Sequence, residues 1–90
     1  MAFQWDERKR LLNIAKHGFD FLQAEELFDG PHVIVPSKRS QPEERFLAIG
    51  KVAGRWATVV HTIREGQCRI ISMRSARDAE RRRYQDLHGR

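Results

Sequence analysis

The side chains of this sequence that could take part in chemistry are mainly arginines, with lysines, histidines and a few carboxylates. The sequence has no G-x-S-x-G nucleophile motif, no phosphate-binding glycine loop and no Cys–His signature. These residue types suit cleavage of RNA by its own 2′-hydroxyl, because the substrate then supplies the nucleophile. The protein needs a base, an acid and cations around the phosphate. Arginine suits the last role because its planar fork binds two phosphate oxygens and keeps its charge.

Positive charge is concentrated at the C-terminal end of the chain. The net charge is +5 over 90 residues. Residues 69–90 account for +4 of this, with seven arginines against three acidic residues. Such a segment is typical of a protein that binds an acidic partner, either a phosphate backbone or an acidic protein surface. The alternative is that these arginines form an ordinary solvated helix face.

Several candidate positions also have a purely structural interpretation. His17 follows Lys16 at the end of a predicted helix, where a histidine commonly interacts with the helix dipole. His61 falls on an apolar strand face and is predicted to be a core histidine. Arg64 and Arg74 lie at strand ends and are equally open to a phosphate-binding or a structural role.

Aromatic and basic residues elsewhere leave two interpretations open. Trp5 and Trp56 could stack on bases, or could be ordinary buried aromatics. Four arginines of the C-terminal segment could bind RNA or an acidic protein equally well. They are Arg77, Arg81, Arg82 and Arg83.

Cysteine and histidine usage argues against a metal site or a disulfide framework. The chain has one cysteine, Cys68, and its four histidines lack the i, i+3 or i+4 spacing of metal ligands. We therefore expect no metal and no cofactor. No apolar run approaches the ~20 residues of a membrane span, and no signal sequence begins the chain, so we expect a cytoplasmic protein without a membrane partner. The length predicts one domain, residues 1–90.

Hydrophobic periodicity predicts an α+β fold. The predicted strands are 3–5, 33–35, 44–50, 56–64 and 68–74, and the predicted helices are 7–16, 21–28 and 77–87. Asp6 and Asp20 are predicted N-caps, Gly18 a C-terminal stop, and Ser75 with Asp78 the start of the last helix. Short connections predict antiparallel neighbours. We expect an antiparallel sheet of about four strands plus a short N-terminal strand, with two N-terminal helices and one C-terminal helix on one face.

The loop that follows Arg64 decides which side chains share a face with it. A two-residue loop pairs Arg64 with Gln67 and puts Arg64 and Arg74 on opposite faces. A three-residue loop pairs Arg64 with Cys68 and puts both arginines on one face. We predict the second register, because the first would bury an arginine beside the core. The apolar face then holds Ala57, Val59, His61, Ile63, Ile71 and Met73.

The N-terminal segment carries a long and specific pattern. Phe3 and Trp5-Asp6 are followed by Lys9, Asn13 and Lys16-His17-Gly18. This pattern resembles the start of the BrnT family of toxins. The likeness continues at Phe21, Ala24, Phe28, Pro31, Glu44-Arg45-Phe46, Ile49-Gly50, Ile71-Ser72-Met73-Arg74, Glu80-Arg81 and Tyr84. It covers nearly the whole chain.

The resemblance implies a ribonuclease toxin of a type II toxin–antitoxin pair, with a fold similar to that of RelE-type toxins. The implied partner is a BrnA-like antitoxin with a ribbon-helix-helix DNA-binding part, assembled as two toxins with two antitoxins. Operator DNA would be contacted only through the antitoxin, and RNA would be cut either free or on the ribosome. By position, the implied catalytic residues are Lys16, His17, Arg64 and Arg74. Arg45, Arg77 and Arg81 are expected to bind RNA.

Two departures from the family pattern lie near the implied site. His61 stands where an aromatic residue is commoner, and Met73 and Ser75 flank Arg74 where smaller or basic residues are common. A second interpretation is a non-catalytic module that binds nucleic acid or the antitoxin, because an arginine-lined sheet face serves both functions.

Overall fold

The computed structural model describes residues 2–39 and 41–88, which form a five-stranded sheet and three α-helices. The strands are β1 (Phe3–Gln4), β2 (His32–Pro36), β3 (Phe46–Val52), β4 (Arg55–Arg64) and β5 (Gln67–Ser75). The helices are α1 (Glu7–His17), α2 (Ala24–Asp29) and α3 (Asp78–His88), with a 3-10 turn at Phe21–Gln23 before α2. The predicted α+β class and the order of the elements are confirmed. Arg90 of the basic C-terminal segment lies outside the described residues.

The sheet is mixed, and the prediction of an antiparallel sheet is wrong in this respect. The strand order is β1-β5-β4-β3-β2, and β1 runs parallel to β5. Phe3 lies opposite Cys68, whose backbone N–H donates to the carbonyl of Ala2 over 2.9 Å. Short connections impose antiparallel pairing only on strands that follow one another. Because most of the chain separates β1 from β5, no hairpin fixes their relative direction.

Local interactions define both ends of α1. The Asp6 carboxylate accepts from the backbone N–H groups of Arg8 and Lys9, as an N-cap residue does. Gly18 has a left-handed backbone with a φ of 73°, and its N–H donates to the carbonyl of Ile14. Both predicted ends of this helix are therefore confirmed.

Asn13 joins α1 to the edge of β5. Its amide nitrogen donates to the carbonyls of Phe19 (2.9 Å) and Met73 (2.8 Å), and its amide oxygen accepts from the Met73 N–H (3.1 Å). β1 pairs with β5 at Cys68 and Arg69, so it does not reach the backbone groups of Met73. The buried side chain of Asn13 takes the place of a partner strand there.

The main core lies on one side of the sheet, the core face, which carries Ala57, Val59 and Met73. The buried cluster consists of Phe19, Phe21, Ala24, Leu27, Ala48, Val52, Ala57, Val59, Cys68, Ile70 and Met73. His61 is 3% exposed on the same face, which confirms the prediction of a core histidine. Burial lowers its pKa, because the charged imidazolium would lose its hydration.

α3 lies on the opposite side of the sheet, the groove face, which carries Thr58, Val60 and Arg74. The expectation that all helices cover one face is therefore wrong. α3 has no buried residue, and polar contacts from Thr58 and Arg74 to Glu80 hold it to the sheet. Apolar periodicity could not place this helix, because no buried apolar stripe of α3 marks the side that faces the sheet.

The β4–β5 hairpin pairs Arg64 with Gln67, so the predicted three-residue loop is wrong. Glu65 and Gly66 form a two-residue turn in which both residues have a left-handed φ, 54° and 76°. Turns of this kind are favoured in hairpins because their twist matches the right-handed twist of the flanking strands.

A β-bulge nevertheless puts Arg64 and Arg74 on the same face. The register shifts at Ile71, which has no partner on β4. Arg74 therefore lies opposite Thr58 and shares the groove face with Arg64. The same shift buries Ile70 in the core and turns Ile71 towards the groove face, the reverse of the predicted arrangement.

Candidate functional site

A groove with a volume of about 540 Å³ lies on the groove face, between α3 and the segment that joins β2 to β3. Its apolar floor is formed by Val35, Leu47, Ile49, Val60 and Ile71. Its basic side chains are Lys38, Arg39, Arg45, Arg74, Arg77 and Arg83. Among the described residues that line it, Glu80 is the acidic one. We call this feature the cationic groove.

Arg74 and Glu80 form a forked ion pair at the α3 side of the cationic groove. Arg74 Nη1 and Nη2 each lie 2.9 Å from a carboxylate oxygen of Glu80. The two side chains are only 17% and 11% exposed. Arg74 Nη1 also donates to the carbonyl of Ser75 over 3.2 Å. Arg74 is thus fixed at the groove wall and anchors the first turn of α3 to β5.

Two further donors converge on the Glu80 carboxylate. Its Oε1 atom accepts from the Thr58 hydroxyl over 2.8 Å and from the Arg77 backbone N–H over 2.9 Å. Burial acts to raise the pKa of Glu80, but the hydrogen bonds from Arg74, Arg77 and Thr58 outweigh it and hold that pKa at about 2. Glu80 is therefore an anion that orders the helix start, a role that the sequence assigned to Ser75 and Asp78.

Arg45 lies just before β3 and lines the cationic groove. Its Nε atom is buried and has no hydrogen-bond partner among residues 2–39 and 41–88. Leaving a buried donor unpaired costs about 1–3 kcal/mol, and more for a charged group. An anion in the groove would supply the missing acceptor. The sequence named Arg45 as an RNA-binding residue, and the structure places it with Arg74 and Arg77.

Sequence reasoning missed part of the basic lining. Lys38 and Arg39 follow β2 in a polar stretch, and both reach the cationic groove. Arg83 also lines the groove, and the sequence marks it only as one member of the C-terminal arginine run. A basic pair in a loop directly after a strand was the available signal, because loops at sheet edges often carry binding residues.

Three of the implied catalytic residues lie outside the cationic groove. Arg74 lies opposite Thr58, and Arg64 is six residues further along β4. At the rise of a β-strand, Arg64 and Thr58 are about 20 Å apart. Arg64 pairs instead with Glu43 over 3.1 Å. Lys16 is exposed and His17 is half-buried at the end of α1, which packs along the edge of β5. The structure does not assemble Lys16, His17, Arg64 and Arg74 into one site.

Arg81 extends towards an aromatic pair beside the groove. Its guanidinium lies 5.5 Å from the ring of Trp56, and Lys51 Nζ lies 5.0 Å from the same ring. Tyr84 packs its edge against Trp56 with the ring centroids 4.9 Å apart. Trp56 is therefore part of the contact between α3 and β4. Trp5 is half-buried against Phe21.

Two further features of the structure bear on other kinds of function. In the described part of the chain, no three His, Cys, Asp or Glu side chains converge in a way that could hold a metal ion. No helix among the same residues has the length and apolar character that a membrane crossing needs.

Comparisons with known proteins agree on one family. The model of that family, a ribonuclease toxin, BrnT, of type II toxin–antitoxin systems, matches residues 5–80. Among solved structures, the chain is similar to the Brucella abortus ribonuclease toxin BrnT. The two share 37% sequence identity with a TM-score of 0.70, over 87% of this chain and 99% of that one. No curated protein matches the chain. The family match includes Arg45, Arg74, Arg77 and Glu80.

Proposed function

The chain belongs to the BrnT family of ribonuclease toxins of type II toxin–antitoxin systems, and we propose that it cleaves RNA bound in the cationic groove. The substrate's own 2′-hydroxyl attacks the adjacent phosphate, so that the 5′-oxygen of the next nucleotide leaves. The protein supplies charge, orientation and proton transfer.

The unpaired donor of Arg45 carries this proposal. A buried guanidinium N–H that lacks an acceptor, in a groove with six basic residues and one acidic residue in its described lining, fits an anionic ligand. A phosphodiester supplies both the charge and the acceptor oxygens. The apolar floor, which includes Leu47 and Ile71, offers a surface for a nucleobase.

Arg45, Arg74 and Arg77 would divide the work at the phosphate. Arg45 and Arg77 bind its non-bridging oxygens and stabilise the charge that grows there in the transition state. Arg74 is already held by Glu80 through two hydrogen bonds, so it contributes a fixed positive charge and positions α3. Lys38 and Arg39 guide the neighbouring phosphates of a single strand.

In this mechanism guanidinium groups supply the positive charge that a metal ion supplies in other nucleases, so we propose metal-independent cleavage. The general base and acid are open. Glu80 is a poor base, because its pKa is held at about 2. Lys16, His17 and Arg64 stay predictions from the family resemblance, and Arg81 stays a predicted RNA contact.

The proposal also covers the antitoxin partner and the fold type. A type II toxin has an antitoxin partner, and we propose a ribbon-helix-helix antitoxin in an assembly of two toxins and two antitoxins. Operator DNA is then contacted through the antitoxin, and the toxin acts on RNA in the cytoplasm. We also propose that the fold is of the RelE type, since both combine a small sheet with flanking helices.

One observation favours the alternative of a non-catalytic binding module. No histidine belongs to the lining of the cationic groove in the described residues, and its carboxylate is engaged by Arg74, Arg77 and Thr58. A module of this kind would bind RNA with the same salt dependence but would leave it intact.

An RNA cleavage assay with purified protein separates the two functions. We compare the wild type with the double variant Arg45→Ala/Arg77→Ala, with and without ribosomes. Loss of two phosphate-binding groups lowers cleavage at least about 100-fold. The control variant Arg8→Ala/Lys9→Ala removes the same charge from the exposed surface of α1 and keeps wild-type cleavage.

The outcomes are distinct. Binding without cleavage by the wild type, in both conditions, supports the non-catalytic module. Equal cleavage by the wild type and the Arg45→Ala/Arg77→Ala variant removes the cationic groove as the site. Unchanged cleavage in excess EDTA is expected for the metal-independent mechanism, and loss of cleavage there contradicts it.

A further inference from the structure

The apolar residues of α1 face solvent. Leu11 is 55% exposed, Leu12 is 62% exposed, and Ala15 is exposed as well. The buried residue of this helix is the polar Asn13. We call the surface formed by Leu11, Leu12 and Ala15, with Arg8 beside them, the leucine face.

Helix geometry explains why the fold leaves this surface open. Asn13 binds the backbone of β5 and so fixes which side of α1 faces the protein. At 100° per residue, Leu11 and Ala15 each lie about 160° around the helix from Asn13, and Leu12 about 100°. The hydrogen bonds of Asn13 therefore turn the leucines outward, although an amphipathic surface helix usually buries its apolar stripe.

The leucine face is bordered by positive charge. Arg8 and Lys9 are exposed at the start of α1, and neither side chain forms an ion pair within the described residues. At 100° per residue, Arg8 lies between Ala15 and Leu12 around the helix axis. An apolar surface with a basic border is complementary to a segment that carries apolar and acidic side chains.

We infer that the leucine face of α1 is the surface on which the antitoxin docks, through an acidic segment with apolar side chains. This inference rests on the proposed function for the identity of the partner. RNA is a poorer occupant, because the two cations beside the leucines are fewer than the six that line the cationic groove. A second copy of this chain is also disfavoured, because it would bring two sets of Arg8 and Lys9 together.

The position of the leucine face separates it from the cationic groove. α1 packs along the edge of β5, whereas the groove lies between α3 and the β2–β3 segment. An antitoxin anchored on Leu11 and Leu12 can therefore be disrupted by substitutions that leave the proposed RNA site unchanged.

The test measures binding to the protein encoded beside the toxin in the same operon. We titrate this purified antitoxin into the wild type, into Leu11→Ser/Leu12→Ser, and into Arg8→Glu/Lys9→Glu. The leucine variant weakens binding at least about 100-fold, from the lost burial of two leucine side chains. The charge-reversal variant weakens binding about 10-fold at low salt and less at high salt. The charge-reversal variant is expected to keep α1 folded, because acidic residues in the first turn interact favourably with the helix dipole.

A matched control removes exposed aliphatic side chains elsewhere. Ile63 and Leu87 are 56% and 54% exposed, and Ile63→Ser/Leu87→Ser keeps wild-type affinity. Circular dichroism and RNA cleavage by each free variant show that the fold is kept. In growth assays, co-expressed antitoxin rescues the control but not the leucine variant.

Three results overturn the inference. One is wild-type affinity of the leucine variant for the antitoxin, and another is absence of any binding by the wild type. The third is a wild-type dimer that Leu11→Ser/Leu12→Ser makes monomeric while antitoxin binding is unchanged. Failure of the proposed function is a separate result, because RNA that stays intact with the wild type leaves the antitoxin titration readable.

Discussion

The two faces of the sheet share the same strands but are held by different interactions. On β4, Ala57 and Val59 are fully buried in the apolar cluster of the core face. Thr58 and Val60 alternate with them and point to the groove face, where Thr58 donates to Glu80 and Val60 lines the cationic groove. One face is closed by apolar packing, whereas the other is held by hydrogen bonds and ion pairs.

The two faces therefore have different roles, since one stabilises the fold and the other is available to bind a ligand. This matters in a domain of this size, whose free energy of unfolding is expected to be small. Among the described residues, the buried cluster of the core face consists of apolar side chains and Cys68. The groove face keeps an unpaired donor on Arg45 and a set of cations that one carboxylate cannot neutralise. Substitutions on the core face should therefore lower stability, and substitutions in the groove should lower RNA binding.

The largest loss of stability is expected for Phe19→Ala on the core face. Phe19 is completely buried, and removing a buried phenylalanine ring costs about 4 kcal/mol through lost burial and the cavity left behind. Urea denaturation measures the free energy of unfolding. Leu22→Ala is the control, because Leu22 is 61% exposed on the nearby 3-10 turn, and it should change that free energy by less than about 0.5 kcal/mol. Equal effects of the two variants would contradict a closed core face.

Asn13→Ala tests the edge of β5, where the two faces meet. It removes the donor and the acceptor for the Met73 backbone, and we expect a loss of about 3 kcal/mol from unsatisfied buried groups. Hydrogen exchange of the Met73 amide should become faster than that of amides in β3. Unchanged exchange at Met73 would show that Asn13 does not complete this edge.

The Arg74–Glu80 pair on the groove face makes stability depend on pH. The pKa of Glu80 is lowered from 4.5 to about 2, so its contribution is fully present above pH 4.5 and is lost as the pH falls towards 2. We expect the pair to contribute about 2 kcal/mol to the free energy of unfolding, after allowing for solvent screening. The stability difference between the wild type and Glu80→Gln should therefore shrink between pH 5 and pH 2. A constant difference would contradict the pairing, and Glu25→Gln on the exposed side of α2 is the control.

The smallest effect on stability is expected for Arg45→Met in the cationic groove. The substitution keeps much of the apolar stem and removes an unpaired buried donor. The free energy of unfolding should therefore change by less than about 0.5 kcal/mol or increase. RNA affinity should fall, and the slope of log K against log salt should lose about one unit. A large loss of stability with an unchanged salt slope would show that Arg45 stabilises the fold and does not bind RNA.

Much of the fold could be predicted where the signal is local. The caps at Asp6 and Gly18 and the order of the elements follow from residues a few positions apart. The core role of His61 followed from strand alternation alone. These features depend on backbone preferences and short-range hydrogen bonds, which can be predicted from the types of neighbouring residues.

The candidate site could be predicted only in part. Arg45, Arg74 and Arg77 were named from the sequence and line the same groove. Lys38 and Arg39 were missed, because a basic pair in a loop does not reveal which surface it reaches. Arg64 shares a face with Arg74, but a shared face says nothing about distance along the strand, and Arg64 lies outside the cationic groove.

By itself, the sequence determined the family, the element order and the charge of the molecule, because these depend on residue identity and local spacing. Only the tertiary structure decided that a bulge at Ile71 sets the face of Arg74, and that Glu80 binds Arg74 across the start of α3. It also decided that Arg45 is buried without an acceptor in the described residues. The physical reason is that pairing, register and desolvation join residues far apart in the chain, and their energies exist only once those residues meet.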